Sequence, residues 1–520
     1  MPVIPSPVRT VPRVAWAKAR HHVLGPLAGI CLGLLALGPG LRRGFLLSYD
    51  MVFVPRESFR AALDLGGPPR AVPSDFVMAV AERVLPGDVV QKIVLLAIFT
   101  LACGGVTALA RDTPVSARLA AGVFYAWNPY VAERLIIGQW ALLLGYAGLP
   151  WVLAAALRKP LSWWRLALAL LPAIVGGFAA MAITALVLVP VVALRRSPRD
   201  AVLAVGLLIA GCLPWLIPSL LHPVYADPRA VAAFAARPDT PFGSVGSLLM
   251  LGGIWNAQAV PAGYGGWLTA VWLAVVIIAC AGYVGWTRYP GLGVAAAAGL
   301  LIAAAGVTAG GQDLLRAAIS AWPGVAVLRD GQQFVAPLAL AGALGFAAVV
   351  SRVMRRDAAG VLYATVALLV PVLLLPGLAW GADGRLRPAW YPPAWAAIAR
   401  TIDTSPATGD VLLLPWAADR RPAWNDYEAV LDPWPRLLSR YVIWNDGTVV
   451  GSVAMLPDDP VARRLNPVIT GTGPMTAALR AAGVRFVLVD AGPSLAARLP
   501  GTRVITAAAG VTVYEIEGQR

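Results

Sequence analysis

The sequence predicts a polytopic α-helical membrane protein with a small α/β domain at its C-terminal end. Three observations carry that prediction. The 520 residues are 58% hydrophobic and 13% charged, against roughly 25% charged in an average soluble domain. The apolar residues gather in long runs, such as VLAVGLLIAGCLPWLIPSLL and LTAVWLAVVIIACAGYVGW, and about 20 such residues cross roughly 30 Å of hydrocarbon. From about residue 382 the composition becomes mixed and turn-rich. Together these exclude a soluble enzyme, a disordered chain and a disulfide scaffold, and the four cysteines, all inside apolar runs, read as small hydrophobes.

The elements follow in order. A basic N-terminal tail precedes a retained first span at about 23–41, and a polar loop runs over 42–88. Spans are expected at about 89–110, 115–127 and 135–157. The stretch 161–194 is too long for one crossing and is bracketed by Arg158/Lys159 and Arg195/Arg196, so it reads as a tight hairpin of two short arms, partly re-entrant. Further spans are expected at 200–221, 266–286, 291–309, 333–351 and 360–380, separated on one side by the loops 222–265 and 310–332. This makes about eleven crossings with the N-terminus inside and the C-terminus outside, because that arrangement places the basic clusters in the cytoplasm. Arg42 and Arg43 are the exception. Residues 1–381 thus form the membrane domain. Residues 382–520, with the β-type runs DVLLLPW, RFVLVD and GVTVYEI between helical stretches, form an outer α/β domain.

The formal net charge of +15 is scattered over short clusters at the ends of apolar runs, so it points to topology and not to a nucleic-acid partner. The cytoplasmic loops are too short for a nucleotide-binding domain, and no Walker loop or GxGxxG occurs. The span interiors hold almost no ionisable groups, which disfavours an ion-coupled transporter. Chemistry therefore belongs to the outer loops.

Asp50 is the first candidate. It stands just past the first span, between Tyr49 and the apolar Met51, Val52 and Phe53, where partial desolvation raises a carboxylate pKa and suits it to act as a base; a solvated loop acid is the plainer reading. The second candidate is the block FYAWNPYVAERLIIGQW. There Glu133 and Arg134, with Tyr130, Gln139 and Trp140 nearby, read either as a phosphate-binding mouth or as a surface ion pair with interfacial aromatics. The third is LRDGQQF, in which Arg329, Asp330, Gln332 and Gln333 lead into a late span as a phosphate or sugar contact, or as an Asp-Gly turn beside a snorkelling arginine. The loop 222–265 offers His222 and Trp255, a weaker signal for sugar stacking. Three histidines and four apolar-run cysteines make no zinc site.

On LLSYDMVFVP, on YAWNPYVAERLIIGQWALLLGYAGLPW, on LRDGQQF and on the tail segments YPPAWAAIARTIDTSPATGDVLLLPW and LRAAGVRFVLVD, the chain resembles the polytopic GT-C glycosyltransferases, and among them the arabinofuranosyltransferases of actinobacterial cell walls. The resemblance implies a bacterial plasma-membrane enzyme with an extracytoplasmic active face. Its donor is a polyprenyl-phosphate sugar, arabinofuranose before mannose, and its acceptor a cell-envelope glycan. The resemblance implies Asp50 as base with Asp75 as fallback, and Arg134, Arg329 and Arg56 as donor-phosphate contacts. Tyr49, Glu133, Gln139, Asp330, Gln333, His222 and Trp255 would bind substrate. The sequence has no adjacent Asp-Asp pair and no WWDYG-type motif, so dependence on Mg2+ or Mn2+ stays open. A lipid-linked glycan transporter and a non-catalytic envelope scaffold are the rival classes.

Overall fold

The computed structural model describes residues 13–63, 72–222, 225–286, 289–356, 359–451, 453–490, 492 and 495–517. The N-terminal tail and Asp64 of the first loop lie outside them. The chain is mostly helical, followed by a region built on a five-stranded sheet. Six helices among the described residues are long and apolar enough to cross a membrane, or up to eight if each of two bent helix pairs is one span. Their outer faces carry large apolar side chains in the open, such as Val202 (74% exposed), Leu301 (71%) and Val361 (77%), as surfaces that face hydrocarbon do.

Small residues set the closest helix contacts. Gly25, Gly29 and Gly33 fall on one face of the helix Arg13–Leu37, spaced by four, and meet Thr107, the backbone at Phe99 and Leu96 of the antiparallel helix Gly87–Leu109. Helices in an apolar solvent gain little from hydrophobic burial, so close backbone approach supplies the packing energy.

Trp163–Ala193 is a hairpin, although its length and hydropathy are those of a single long helix. Arg195 donates to the carbonyl oxygens of Ala156 and Arg158, and Ser162 and Trp163 share a surface pocket with Pro198 and Arg199. Both ends of the element therefore lie together at one end of the bundle. At its middle Gly177 has φ 76° and ψ −150°, a conformation essentially closed to residues with a Cβ. The packing on the helix Trp140–Ala156 agrees: Gly176 abuts Ala141, Gly145 abuts Ala180, and Gly148 abuts Pro172, so both arms run away from the Gly177 tip. A Gly177→Ala variant should lose about 1–3 kcal/mol of stability, read as a lower thermal midpoint in detergent.

The basic residues gather at the end opposite that tip. There Arg195 also pairs with Asp200 at 2.7 Å, and Arg352 lies over the Trp286 ring. Arg43, which breaks the sequence pattern, sits at the other end, where its guanidinium is held at 2.7 and 3.2 Å by both oxygens of Asp88. Its charge is spent locally.

In the C-terminal region the strand Asp410–Leu414 pairs in parallel with Val442–Ile443 and with Val484–Asp490, and Val511–Ile516 and Thr502–Ala508 complete the sheet antiparallel. The period-two alternation of a strand divides its side chains between two cores. Leu412, Leu414, Val484, Val487 and Val489 pack with the helices Pro460–Thr470 and Thr476–Ala481. Val411, Leu413, Phe486 and Leu488 join the core that runs on into the membrane helices. The first loop is stitched to the same region: Phe45–Leu46 pairs with Pro388–Ala389, Tyr391 donates to the carbonyl of Phe53 at 2.8 Å, and Asn425 donates to that of Leu47 at 3.4 Å.

Candidate functional site

Between the hairpin tip, the first loop and the C-terminal region lies a cavity of about 1770 Å³. Its floor is built by a tight turn at Ser48–Met51. Met51 N–H donates to the Ser48 carbonyl at 2.8 Å, and Tyr49 takes φ 45°. The turn is held on both flanks. Asp50 N–H donates to Ile137 O at 3.1 Å and the Ser48 hydroxyl to Ile136 O at 2.6 Å. Tyr49 N–H donates to Ala429 O at 2.6 Å while Tyr49 O accepts from Leu431 N–H at 2.9 Å. Gly138 makes this clamp fit: it has φ 85°, and a Cβ there would overlap the backbone at Ser48 and Met51.

The turn presents Asp50 to the cavity. The side chain is open to the cavity yet enclosed by protein, and that enclosure, reinforced by the negative charges of Asp419 and Asp330, pushes its pKa up to about 7. Arg436 and a hydrogen bond from Gln139 pull the other way without prevailing. Gln139 also donates to Asp330, and the Gln332 and Gln333 amides donate to the same carboxylate. Asp330 is raised by burial as well, against the nearby charges of Arg134 and Arg329. It owes its place to the Pro323–Arg329 and Gly331–Val335 turns, which follow a 95° bend between the helices Pro290–Ala305 and Ala309–Ala321.

A second acidic group forms the neighbouring wall. Asp75 Oδ2 lies 2.9 Å from Arg436 Nε, with Glu57 Oε1 at 3.8 Å. Burial, then the charge of Asp75, raises Glu57 well above the ordinary carboxylate range, and burial pushes Glu82 up to about 7 although it accepts the Glu57 N–H at 2.6 Å.

Of the sequence candidates, the cavity brings together Asp50, Asp75, Gln139, Arg329, Asp330 and Gln333. Arg329 lies on the wall, with its guanidinium 5.0 Å from the Phe234 ring centroid. The others stand outside it. Arg134 is buried beneath the floor, 4.0 Å from the Tyr130 ring centroid and 3.5 Å from Glu133. Glu133 is also buried and is raised well above the ordinary range by burial, then by the charge of Asp239. The cause is local: Asn128 caps the short helix Pro129–Ile136 through Val131 N–H at 3.1 Å, and all eight of its residues are buried. Trp255 packs edge-on behind Phe234 at 4.7 Å, and Tyr49 bonds its hydroxyl to Gln258. His222 ends the helix Pro198–Leu221, and Arg56 is exposed on the first loop.

The architecture matches that of the arabinofuranosyltransferase AftD from Mycobacteria. The likeness extends over 96% of this chain and 40% of that one, at 16% identity and a TM-score of 0.53. A second AftD structure, of a mutant, aligns at 17% identity and a TM-score of 0.57 over 96% of this chain and 42% of that one. The chain shares the fold of these AftD structures. The chain spans about two fifths of the AftD length. ArnT from Cupriavidus metallidurans, in a structure bound to undecaprenyl phosphate, aligns over 98% of this chain and all of that one, at 14% identity and a TM-score of 0.42. No protein-family model and no curated protein matches the sequence.

On this fold, one cation in the cavity was not legible in the sequence. Arg436 enters from the C-terminal region, out of the run DPWPRLLSR, in which nothing separates it from Arg440. Arg440 is spent on the backbone, donating to the carbonyls of Ile402, Ser405, Ala407 and Gly409. Among the described residues no three His, Cys, Asp or Glu side chains come together as metal ligands. The cavity can therefore offer a carboxylate of near-neutral pKa, amides and cations to a ligand that carries both an anionic group and hydroxyls.

Proposed function

We propose that this chain is a membrane glycosyltransferase that moves a sugar from a polyprenyl-phosphate donor to a cell-envelope glycan on the outer face of a bacterial plasma membrane. Arabinofuranose is the favoured sugar and mannose the next. The observation that carries the reading is Asp50: a carboxylate open to a large cavity, fixed by a clamped turn, with its pKa near the pH at which a base works best.

Asp50 takes the proton of an acceptor hydroxyl as that oxygen attacks the anomeric carbon. The new C–O bond forms while the bond from that carbon to the phosphate oxygen breaks, and the electron pair leaves on the phosphate. One displacement inverts the anomeric centre. Cations on the cavity wall, Arg329 among them, stabilise the phosphate as its charge grows. The sidedness is part of the proposal. Eleven crossings, reached by counting Trp163–Ala193 as two and adding the shorter helices Val115–Ala126 and Trp140–Ala156 to the longer apolar ones, put the basic end in the cytoplasm and the cavity with the C-terminal region outside.

Only the ionised form of Asp50 can accept the proton, so kcat/KM should fall tenfold per pH unit below about 7 and level off above it. A pH series on purified protein in proteoliposomes, with polyprenyl-phosphate arabinofuranose and polyprenyl-phosphate mannose as alternative donors, tests both the base and the sugar. A flat profile from pH 5 to 8 excludes Asp50 as the base, and product from neither donor contradicts the donor class.

A further inference from the structure

We propose that Arg436 is the cation that receives the departing lipid phosphate, so that the C-terminal region completes the catalytic cavity. The inference rests on the glycosyl-transfer reading for its chemistry, but its binding component stands apart from it.

Arg436 lies on the short turn Trp434–Leu437, which is braced more firmly than its length would allow alone. Trp434 is fully buried; its indole donates to Asp490 at 3.0 Å and its backbone N–H to Asp432 at 3.0 Å. Arg420 ties the same two carboxylates at 3.0 and 2.5 Å. The carbonyl of Arg436 itself accepts Ser58 N–H from the first loop at 3.2 Å.

The guanidinium is thereby aimed into the cavity with one edge anchored. Its Nε sits against Asp75 and Glu57, it lines the cavity, and 17% of its side chain is exposed there. Its charge reaches Asp50 across the floor. An arginine presents five N–H donors in a planar fork, and anchoring one edge leaves the other for two parallel hydrogen bonds to a phosphate. Glu57, raised well above the ordinary range by burial and by the charge of Asp75, opposes the cation less than Asp75 does and also stands farther from it, at 3.8 against 2.9 Å. Asp75 is then a positioning residue, which holds the fork at an angle that meets the phosphate beside Asp50.

The test is equilibrium binding of undecaprenyl phosphate and of undecaprenol to the purified full chain in nanodiscs. Wild type should prefer the phosphate. Arg436→Gln should cut that preference about tenfold or more, since a charge-assisted bidentate contact is lost. Arg436→Lys, which keeps the charge and the anchor, should lose a smaller part of it, as should Asp75→Asn, whose pH–rate limb should stay at that of wild type. Asp50→Asn should bind as wild type does. If wild type transfers no sugar yet the phosphate preference depends on Arg436, the glycosyl-transfer reading fails, and with it the leaving-group role, while the assignment of Arg436 as the lipid-phosphate contact holds. Undiminished preference in Arg436→Gln overturns it. Should that variant not fold, undiminished preference in both Arg436→Lys and Asp75→Asn overturns it, and so does loss confined to Arg329→Gln.

Discussion

Asp50→Asn should lower kcat by about 10²–10⁴ while leaving the affinity for undecaprenyl phosphate unchanged, because a positioned general base contributes about that much and the amide removes the base alone. The substitution is nearly isosteric, and the backbone bonds to Ile137, Ala429 and Leu431 that fix the turn do not use the carboxylate. Its effect on stability separates a catalytic acid from a structural one. The folded-state pKa of Asp50 is raised from 3.8 to about 7, so between those values the folded chain keeps a proton that the unfolded chain releases. The stability contributed by this group therefore falls as pH rises through that window. The asparagine variant should melt at or above the wild-type temperature at pH 8, and a variant that loses both activity and stability there contradicts the assignment.

Gly138→Ala should be nearly as damaging to activity without touching a reacting group. Gly138 has φ 85°, and its added Cβ would overlap the Ser48 carbonyl and the Met51 amide. Both are backbone atoms, so no rotamer change relieves the overlap and the turn that carries Asp50 must move. A displacement of about 1 Å at a catalytic group costs on the order of 10² in rate. The expected result is a kcat reduced by about that factor, with the bound lipid phosphate retained through Arg436 and Arg329. Wild-type kcat in a folded Gly138→Ala protein would mean that the clamp does not set the position of Asp50.

The hairpin is legible in the sequence because two physical constraints meet: 161–194 is too long for one crossing, and the basic pairs at its ends demand the same aqueous side. Asp50 was readable for a similar reason, as an acid held against the end of an apolar run. Arg134 was not. Its neighbours Tyr130, Gln139 and Trp140 suit a membrane surface, but burial was decided by the Asn128 cap and by Gly138, which turn the short helix Pro129–Ile136 inward. Arg436 was hidden for the opposite reason. It is one of several arginines in a polar segment. Arg440 lines the same cavity, and only tertiary structure shows that Arg440 is consumed by four carbonyls while Arg436 pairs with acids of the first loop. The Asp330 amide cage was half-visible: RDGQQ showed the residue types, while the bond from Gln139 joins segments nearly two hundred positions apart.

The most direct test of the central claim follows both products of a single turnover. Purified protein in sealed proteoliposomes is mixed with radiolabelled polyprenyl-phosphate sugar and a cell-envelope glycan fragment, and the freed lipid phosphate and the extended glycan are counted together. The account predicts one polyprenyl phosphate released per sugar transferred, with the new linkage of inverted anomeric configuration. Intact lipid-linked sugar appearing in the opposite leaflet with no release of lipid phosphate would contradict it and identify a transporter.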